Sequence, residues 1–198
     1  MKIVLSTRNP SKMEQIKEVF ALSPVTVLDL DDVGVEGQGI EDGETLEHNA
    51  LKKALFVHEH RPDLWAMADD TGIFIDALDG KPGVHTAGWT GGNEDTERWT
   101  EWILEQLKEK DDRSATFETV VAIISPEGSR HLFAGKVHGV LLREPKTKPQ
   151  RRMPYSPIFV PDGHNKVWAE MTLAEENSIS HRGKAFRKAR AFLESVKS

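Results

Sequence analysis

Two neighbouring carboxylates, Asp69 and Asp70, open the run Asp69-Asp70-Thr71-Gly72. The apolar stretch before them, Leu64 to Ala68, reads as a short buried strand. Successive strand residues point to opposite faces, so one carboxylate can face a site while its neighbour supports it from behind. The C-terminal end of such a strand is also where open α/β sheets bind ligands. A solvated turn is the competing reading, because Asp-Asp-Thr-Gly is good turn chemistry. A second acidic set, Glu36, Glu41, Asp42 and Glu44, lies in and just after the glycine-rich loop from Gly34 to Gly43. Carboxylates from two separate segments could hold Mg²⁺, a hard ion that takes oxygen ligands and keeps several waters. Acidic residues also favour a helix N-terminus on their own account.

Donors for an anion come from two further places. Thr7, Arg8, Asn9 and Lys12 form a polar turn at the start of a helix, where backbone N–H groups and the helix dipole collect phosphates. An ordinary capped turn would look the same, and no G-x-x-x-x-G-K-[ST] phosphate loop occurs. His181 and Arg182 begin the last helix and offer a second anion site. His58 and His60 are two apart on a helix, so they do not face one metal.

The elements that must position these groups follow from the hydrophobic pattern. Ile3 to Ser6 reads as a first strand. Ser11 with Glu14 gives a capping-box pattern ahead of Ile16, Val19 and Phe20 at helical spacing. Val25 to Leu30 reads as a second strand. Leu46, Ala50, Leu51, Ala54 and Leu55 share one face of a second helix. After the strand ending at Asp69, Ile73 to Leu78 reads as another, and 79–92 reads as loop. A helix is expected near Asn93 to Lys108. Ala115 to Ser125 and His131 to Leu142 flank Pro126-Glu127-Gly128 as a long antiparallel hairpin. Arg143 to Arg152 reads as a basic loop and Ser156 to Val160 as a short strand. The last helix begins near Ser180 or His181. Strands alternating with helices, then a hairpin, give an α/β fold with a mixed sheet.

Composition narrows the function classes. The chain has 198 residues, 38% hydrophobic and 29% charged, enough apolar material for one packed core. A net charge of −6 argues against a general nucleic-acid or acidic-membrane binder, though not against one small anionic ligand. The absence of cysteine excludes disulfides, thiolate catalysis and thiolate-bound metals. Cysteine-free composition suits a cytoplasmic protein. The opening MKIVLSTRNPSK carries too short an apolar run for a signal peptide.

In order along the chain, these pieces resemble the inosine triphosphate pyrophosphatase family, also called the Ham1 or dITP/XTP pyrophosphatase family. Ser6-Thr7-Arg8-Asn9-Pro10-Ser11-Lys12 is similar to its T-x-N-x-x-K loop. Glu41-Asp42-Gly43-Glu44-Thr45-Leu46-Glu47-His48-Asn49-Ala50 resembles its acidic helix start, continued by Lys52-Lys53-Ala54. Ala68-Asp69-Asp70-Thr71-Gly72 resembles A-D-D-[ST]-G, and Pro82-Gly83-Val84-His85-Thr86-Ala87 its P-G-x-x-[ST]-A loop. Ser180-His181-Arg182-Gly183-Lys184-Ala185 matches S-H-R-x-x-A.

The resemblance implies a single domain over 1–198, an elongated mixed-sheet α/β fold with two lobes around a cleft, and a homodimer. It implies hydrolysis of non-canonical purine nucleoside triphosphates (ITP, dITP, XTP) to the monophosphate and pyrophosphate, with Mg²⁺ or Mn²⁺. Asp70 would accept the proton or bind metal, Glu41 would be the second metal contact, and Lys12 would join the catalytic set. Thr7, Arg8, Asn9, Lys12, Lys53 and Thr71 would contact phosphates and sugar. Lys166, His181 and Arg182 would close over the nucleotide, with Tyr155 and Ser156 in the segment that walls the base.

That segment departs from the family. Arg152-Met153-Pro154-Tyr155-Ser156-Pro157 stands where members carry G-F-G-Y-D-P, and Lys146-Thr147-Lys148-Pro149-Gln150-Arg151 replaces a glycine-rich lead-in. The expected consequence is weaker discrimination among bases, with Tyr155 as a substitute stacking group. A weakened nucleotide-binding protein and a Maf-type pyrophosphatase of other base preference are the alternative readings. Asp70, Lys12 and Glu41 speak against the first, and His181-Arg182 against the second.

Overall fold

The computed structural model describes residues 1–89, 95–150 and 153–196. Strand β1 (Lys2–Leu5) runs parallel to β2 (Thr26–Leu28) on one side and to β3 (Trp65–Ile75) on the other. β3 pairs antiparallel with the two-residue β4 (Pro82–Gly83) and with β5 (Ser114–Ile124). β5 continues antiparallel into β6 (Arg130–Leu141), and β6 into β7 (Phe159–Pro161). The sheet order is therefore β2-β1-β3-β5-β6-β7, with β4 on β3. The expected mixed sheet and the long hairpin are both present.

Helices cover both faces. α1 (Pro10–Val19) and α6 (His181–Ser195) bury Ile16, Phe186, Ala189 and Leu193 against Ile3, Leu5, Met67 and Val121. α2 (Leu46–His60) buries Leu46, Ala50, Ala54 and Val57 against Val4, Ala66, Ala68 and Val120 on the other face. A third cluster joins Ile103 and Leu107, from and just beyond α4 (Thr96–Gln106), to Ile73, Phe117, Tyr155, Phe159 and Trp168. Core positions in β3 and β5 therefore alternate between two helical layers, the period-2 rule of a sheet covered on both sides.

Several local expectations are corrected. Asp69 to Gly72 do not end a strand. β3 passes through them, because β5 pairs with it without a break from Ala66↔Ile124 to Ile75↔Ala115; long-range pairing overrides local turn chemistry. α1 begins at Pro10, not at a Ser11–Glu14 box. Asn9 Oδ1 accepts from the N–H groups of Ser11 and Lys12, and Pro10 occupies the first helical position, where its missing N–H costs nothing. β2 is shorter than Val25 to Leu30, and residues 154–158 lead into β7 as turn. Within the expected 79–92 loop, Thr86–Trp89 forms a short helix, α3. α4 starts at Thr96, while the expected start at Asn93 lies outside the described residues, as do 90–92 and 151–152. α5 (Leu173–Ile179) was not expected, although Thr172 and Glu175 form the capping box that would have announced it.

Candidate functional site

The sheet has a gap, and the gap makes the site. β1 ends at Leu5, and Ser6 N–H donates to Met67 O at 2.8 Å. Beyond that point β3 has no described strand on this edge until β4 reaches Ile73. Residues 68–72 thus run along an open slot between the N-terminal ends of α1 and α6 and the loop before α2. The carboxylates of Asp69 and Asp70 leave β3 on opposite faces beside this slot.

On one face Asp69, 1% exposed, lies 3.0 Å from Lys12 Nζ and 3.7 Å from Arg182 Nε. Burial would raise its carboxyl, but Lys12, Arg182 and Lys53 outweigh burial and hold it at about 2. On the other face Asp70, 7% exposed, accepts from Lys53 Nζ at 3.0 Å and from Asn49 Nδ2 at 3.1 Å. Burial there outweighs Lys53 and Asn49, and Glu41 adds to it, so the Asp70 carboxyl sits above its ordinary range. Burial likewise pulls the Lys12 ammonium down despite Asp69. Lys53 resists the same burial because Asp70, Asp69 and Glu41 surround it, and its pKa rises.

The acidic loop is fitted to α2. A Cβ on Gly39 would lie 2.7 Å from Lys53 Cα, so only glycine lets the loop approach this closely. That approach brings Glu41 Oε1 to 2.5 Å from Lys53 Nζ. Asn49 ties the same loop to Asp70: its Oδ1 accepts from Gly43 N–H at 2.7 Å while its Nδ2 donates to Asp70. Two carboxylates from separate segments, Glu41 and Asp70, therefore converge on one point. Among the described residues no cluster of three metal-binding side chains exists. Two carboxylates plus waters and substrate phosphates are nonetheless a sufficient set for Mg²⁺.

Two adjoining cavities share Lys12, Glu41 and Lys53. The smaller, about 180 Å³, is walled by Ser6, Thr7, Arg8 and Asn9 and is polar. The larger, about 270 Å³, adds Asp70 and Thr71 and is otherwise closed by Phe117, Met153, Pro154, Tyr155 and Trp168, with Glu176, His181 and Arg182. His181 stacks on Phe117, with ring centroids 4.8 Å apart and planes 17° apart. Burial, with Arg182 beside it, lowers its pKa well below the ordinary value, so the ring is neutral. Ser180 caps α6 through Gly183 N–H, and a Cβ on Gly183 would lie 1.9 Å from Asn177 O. This close packing of α6 on α5 fixes His181 and Arg182.

The cavities bring together Thr7, Asn9, Lys12, Glu41, Lys53, Asp70, Thr71, Tyr155, Ser156, His181 and Arg182. Four expected contacts change character. Arg8 borders the smaller cavity, but its guanidinium bonds Asp31 and the carbonyls of Val35 and Gly37, so it braces the acidic loop. Lys166 does not reach the cleft; it is half-exposed and paired with Glu175 at 2.9 Å. Ser156 borders the larger cavity, but its hydroxyl donates to Met153 O at 2.7 Å and accepts from Gln150 N–H at 2.8 Å. Tyr155 sets its ring at 83° to Phe117 within the third core cluster, part of the wall and not a re-aimed platform. Sequence reasoning missed Asn49, Gln15, Phe117, Trp168 and Glu176. Asn49 alone was within sight, as the polar residue on the buried stripe of α2.

A family model described as Ham1 matches residues 3–192. The chain belongs to the Ham1 family. A relative from Christiangramia forsetii, named dITP/XTP pyrophosphatase, is 40% identical over 193 residues, 98% of this chain and 99% of the relative. A relative of the same name from Thermoanaerobacter sp. (strain X514) is 38% identical over 195 residues, 98% of this chain and 96% of its own length. The solved structure of a Ham1 protein from Coxiella burnetii superposes with TM-score 0.85 at 30% identity, covering 100% of both chains. That of the Staphylococcus aureus Ham1 protein gives 0.84 at 28% identity, over 99% of this chain and 100% of the other.

Proposed function

We propose that this chain hydrolyses non-canonical purine nucleoside triphosphates, namely dITP, ITP and XTP, to the nucleoside monophosphate and pyrophosphate. The observation that carries the reading is the two-part cleft. A polar cavity suits a polyphosphate, an aromatic-walled cavity suits a base, and Asp70 lies in the larger one beside the shared lysines. The phosphorus nearest the base is the α-phosphorus, so an acid at the junction suits attack there. The names of the relatives at 38–40% identity agree with this substrate class.

In this mechanism the water oxygen bonds to the α-phosphorus and the bond from that phosphorus to the bridging oxygen breaks. Pyrophosphate leaves with the bond's electron pair. Asp70, held by Asn49 and Lys53, orients the water and takes its proton. Lys12 and Lys53 neutralise charge that builds on the phosphates. Thr7 and the side-chain amide of Asn9, beside Lys12 at the positive end of the α1 dipole, hold the distal phosphates. Glu41 and Asp70 would hold Mg²⁺, which supplies further charge neutralisation when bound. A homodimer belongs to the same proposal through the family resemblance, and a cytoplasmic setting through the cysteine-free sequence. Among the described residues, no helix is long and apolar enough to cross a membrane.

The test is chromatography of the products from ITP, dITP, XTP and the four standard triphosphates. A monophosphate with pyrophosphate is expected for the first three. A diphosphate with orthophosphate, or no turnover of any purine triphosphate, would overturn the proposal.

A further inference from the structure

One carboxylate among the described residues lining the larger cavity has no part in the mechanism above. Glu176, on α5, borders that cavity and is only 5% exposed. Its Oε1 accepts from Gln15 Nε2 at 2.9 Å, while Oε2 carries no hydrogen bond to the described residues. Oε2 is not fully buried, so it opens to the cavity and can accept a hydrogen bond from a ligand there. Glu176 also stands apart from the phosphate-end lysines. Its charged neighbour is Arg182, whereas Lys12 and Lys53 are taken by Asp69, Asp70 and Glu41. Glu176 lines the aromatic-walled cavity and not the polar one, which puts it on the side suited to the base.

Gln15 fixes the polarity of this corner. It is buried, with Nε2 donating to Glu176 and Oε1 accepting from Arg182 Nη1 at 2.7 Å. One amide thus holds a hydrogen-bond acceptor, Glu176, next to a donor, Arg182. A 6-oxopurine presents the complementary pair on its Watson–Crick edge, a carbonyl at C6 and an N–H at N1. Adenine presents the reverse, an amino group at C6 and a bare N1.

We infer that Glu176 is a specificity-determining residue that accepts the N1–H of a 6-oxopurine base, with Gln15 aligning it beside Arg182. The inference rests on the proposed nucleotide reaction and deepens it. It also separates two non-canonical bases. Hypoxanthine is neutral, whereas xanthine loses a ring proton near neutral pH. A carboxylate facing the base disfavours that anion, so ITP is preferred to XTP at neutral pH.

The experiment measures kcat/KM by pyrophosphate release for ITP, XTP, dITP, ATP and 1-methyl-ITP, whose N1 carries no proton. The native protein and Glu176→Gln are compared. Glu176→Gln keeps the shape, and its amide can turn to accept from N1–H or donate to N1. The ITP/ATP ratio is expected to fall by about tenfold, the scale of one hydrogen bond to a charged group. XTP is expected to gain relative to ITP. The native protein is expected to lose at least about tenfold on 1-methyl-ITP, a readout that needs no variant to fold. Native turnover of 1-methyl-ITP equal to that of ITP would overturn the assignment. So would unchanged ITP/ATP and ITP/XTP ratios in a folded Glu176→Gln. A change confined to the ITP/dITP ratio would overturn it too, placing Glu176 on the ribose. If the native protein turned over none of these substrates, the proposed reaction itself would fail, which none of the preceding outcomes implies.

Discussion

Asp69 and Asp70 are consecutive, yet β3 sends them to different partners: Asp69 to Lys12 and Asp70 to Lys53, each at 3.0 Å. Only Asp70 borders the larger cavity. Asp69 is buried behind it and anchors two cations that reach the cleft, Lys12 and Arg182. The two substitutions to Asn should therefore separate chemistry from architecture. Asp70→Asn should keep the fold and lower kcat by at least about a hundredfold, the scale of losing a general base. Asp69→Asn should lower stability by about 3–5 kcal/mol, because it leaves buried cations without their counter-charge. Urea unfolding beside pyrophosphate release reads both, and full activity in Asp70→Asn would sink the assignment.

The same pair predicts two separate acid transitions. Burial holds the Asp70 carboxyl above its ordinary value of about 3.9, against the pull of Lys53 and Asn49. If Asp70 must be ionised to work, activity falls on the acid side at a higher pH than an ordinary carboxylate would give. That limb should be missing from the residual activity of Asp70→Asn. Asp69 behaves in the opposite sense, with Lys12 and Arg182 overcoming burial to hold it at about 2. A depressed folded pKa gives stability that is full above the unfolded value of about 3.9 and is lost as pH falls towards 2. Activity should therefore fade while the protein remains folded, as a pH–rate profile beside circular dichroism will show.

Metal dependence should follow from the convergence of Glu41 and Asp70. EDTA is expected to abolish turnover, and Mg²⁺ or Mn²⁺ to restore it. Glu41→Gln should raise the metal concentration needed for half-maximal rate and leave unfolding in urea unchanged, because Glu41 is half-exposed. Persistence of full activity in excess EDTA would remove the metal from the mechanism.

The chemistry of the site was more legible in sequence than its geometry. Asp70, Lys12, Lys53 and Glu41 stood out because their types and neighbours suit phosphate chemistry. The alternation of Asp69 and Asp70 was readable from the period of a strand. The length of β3 was not, because its continuity through Asp69 and Gly72 depends on β5, some fifty residues later. Glu176 was invisible for a related reason. Its partner Gln15 lies 161 residues away, and only the docking of α5 on α1 makes a cavity wall of an ordinary helical glutamate.

Lys166 shows the reverse error, a cation near the last helix that tertiary structure turns outward. Its ammonium pairs with Glu175, at the start of α5, and both side chains are about half-exposed. Exposed pairs of this kind contribute about 0–1 kcal/mol. Lys166→Ala should leave kcat and KM for ITP within about twofold of native, a change of under 1 kcal/mol. Lys53→Ala, which removes a shared cation of both cavities, should cost about a hundredfold or more in kcat. A large KM increase in Lys166→Ala would show that the segment closes over the nucleotide after all.

The segment 153–156 is built differently from the family pattern, and its hydrogen bonds decide what can be restored. Ser156 is fully buried, donating to Met153 O and accepting from Gln150 N–H. Pro154 O in turn accepts from Thr100 Oγ1 at 2.7 Å, which ties the loop to α4. An ionised Asp at 156 could still accept from Gln150 but could not donate to Met153 O. It would set a charge against a carbonyl in a buried place. Ser156→Ala should cost about 1 kcal/mol, the worth of a typical hydrogen bond, and Ser156→Asp more. Installing Phe, Gly and Asp together at 153, 154 and 156 should therefore loosen the wall. Proline at 154 also restricts the unfolded chain, and glycine there gives up that gain. The expected result is a lower melting temperature and no improvement in kcat/KM for ITP over ATP, because the reading of the base rests on Glu176 and Arg182, across the cavity. A triple variant with native stability and a sharply higher ITP/ATP ratio would show instead that this loop, and not α5, sets the preference.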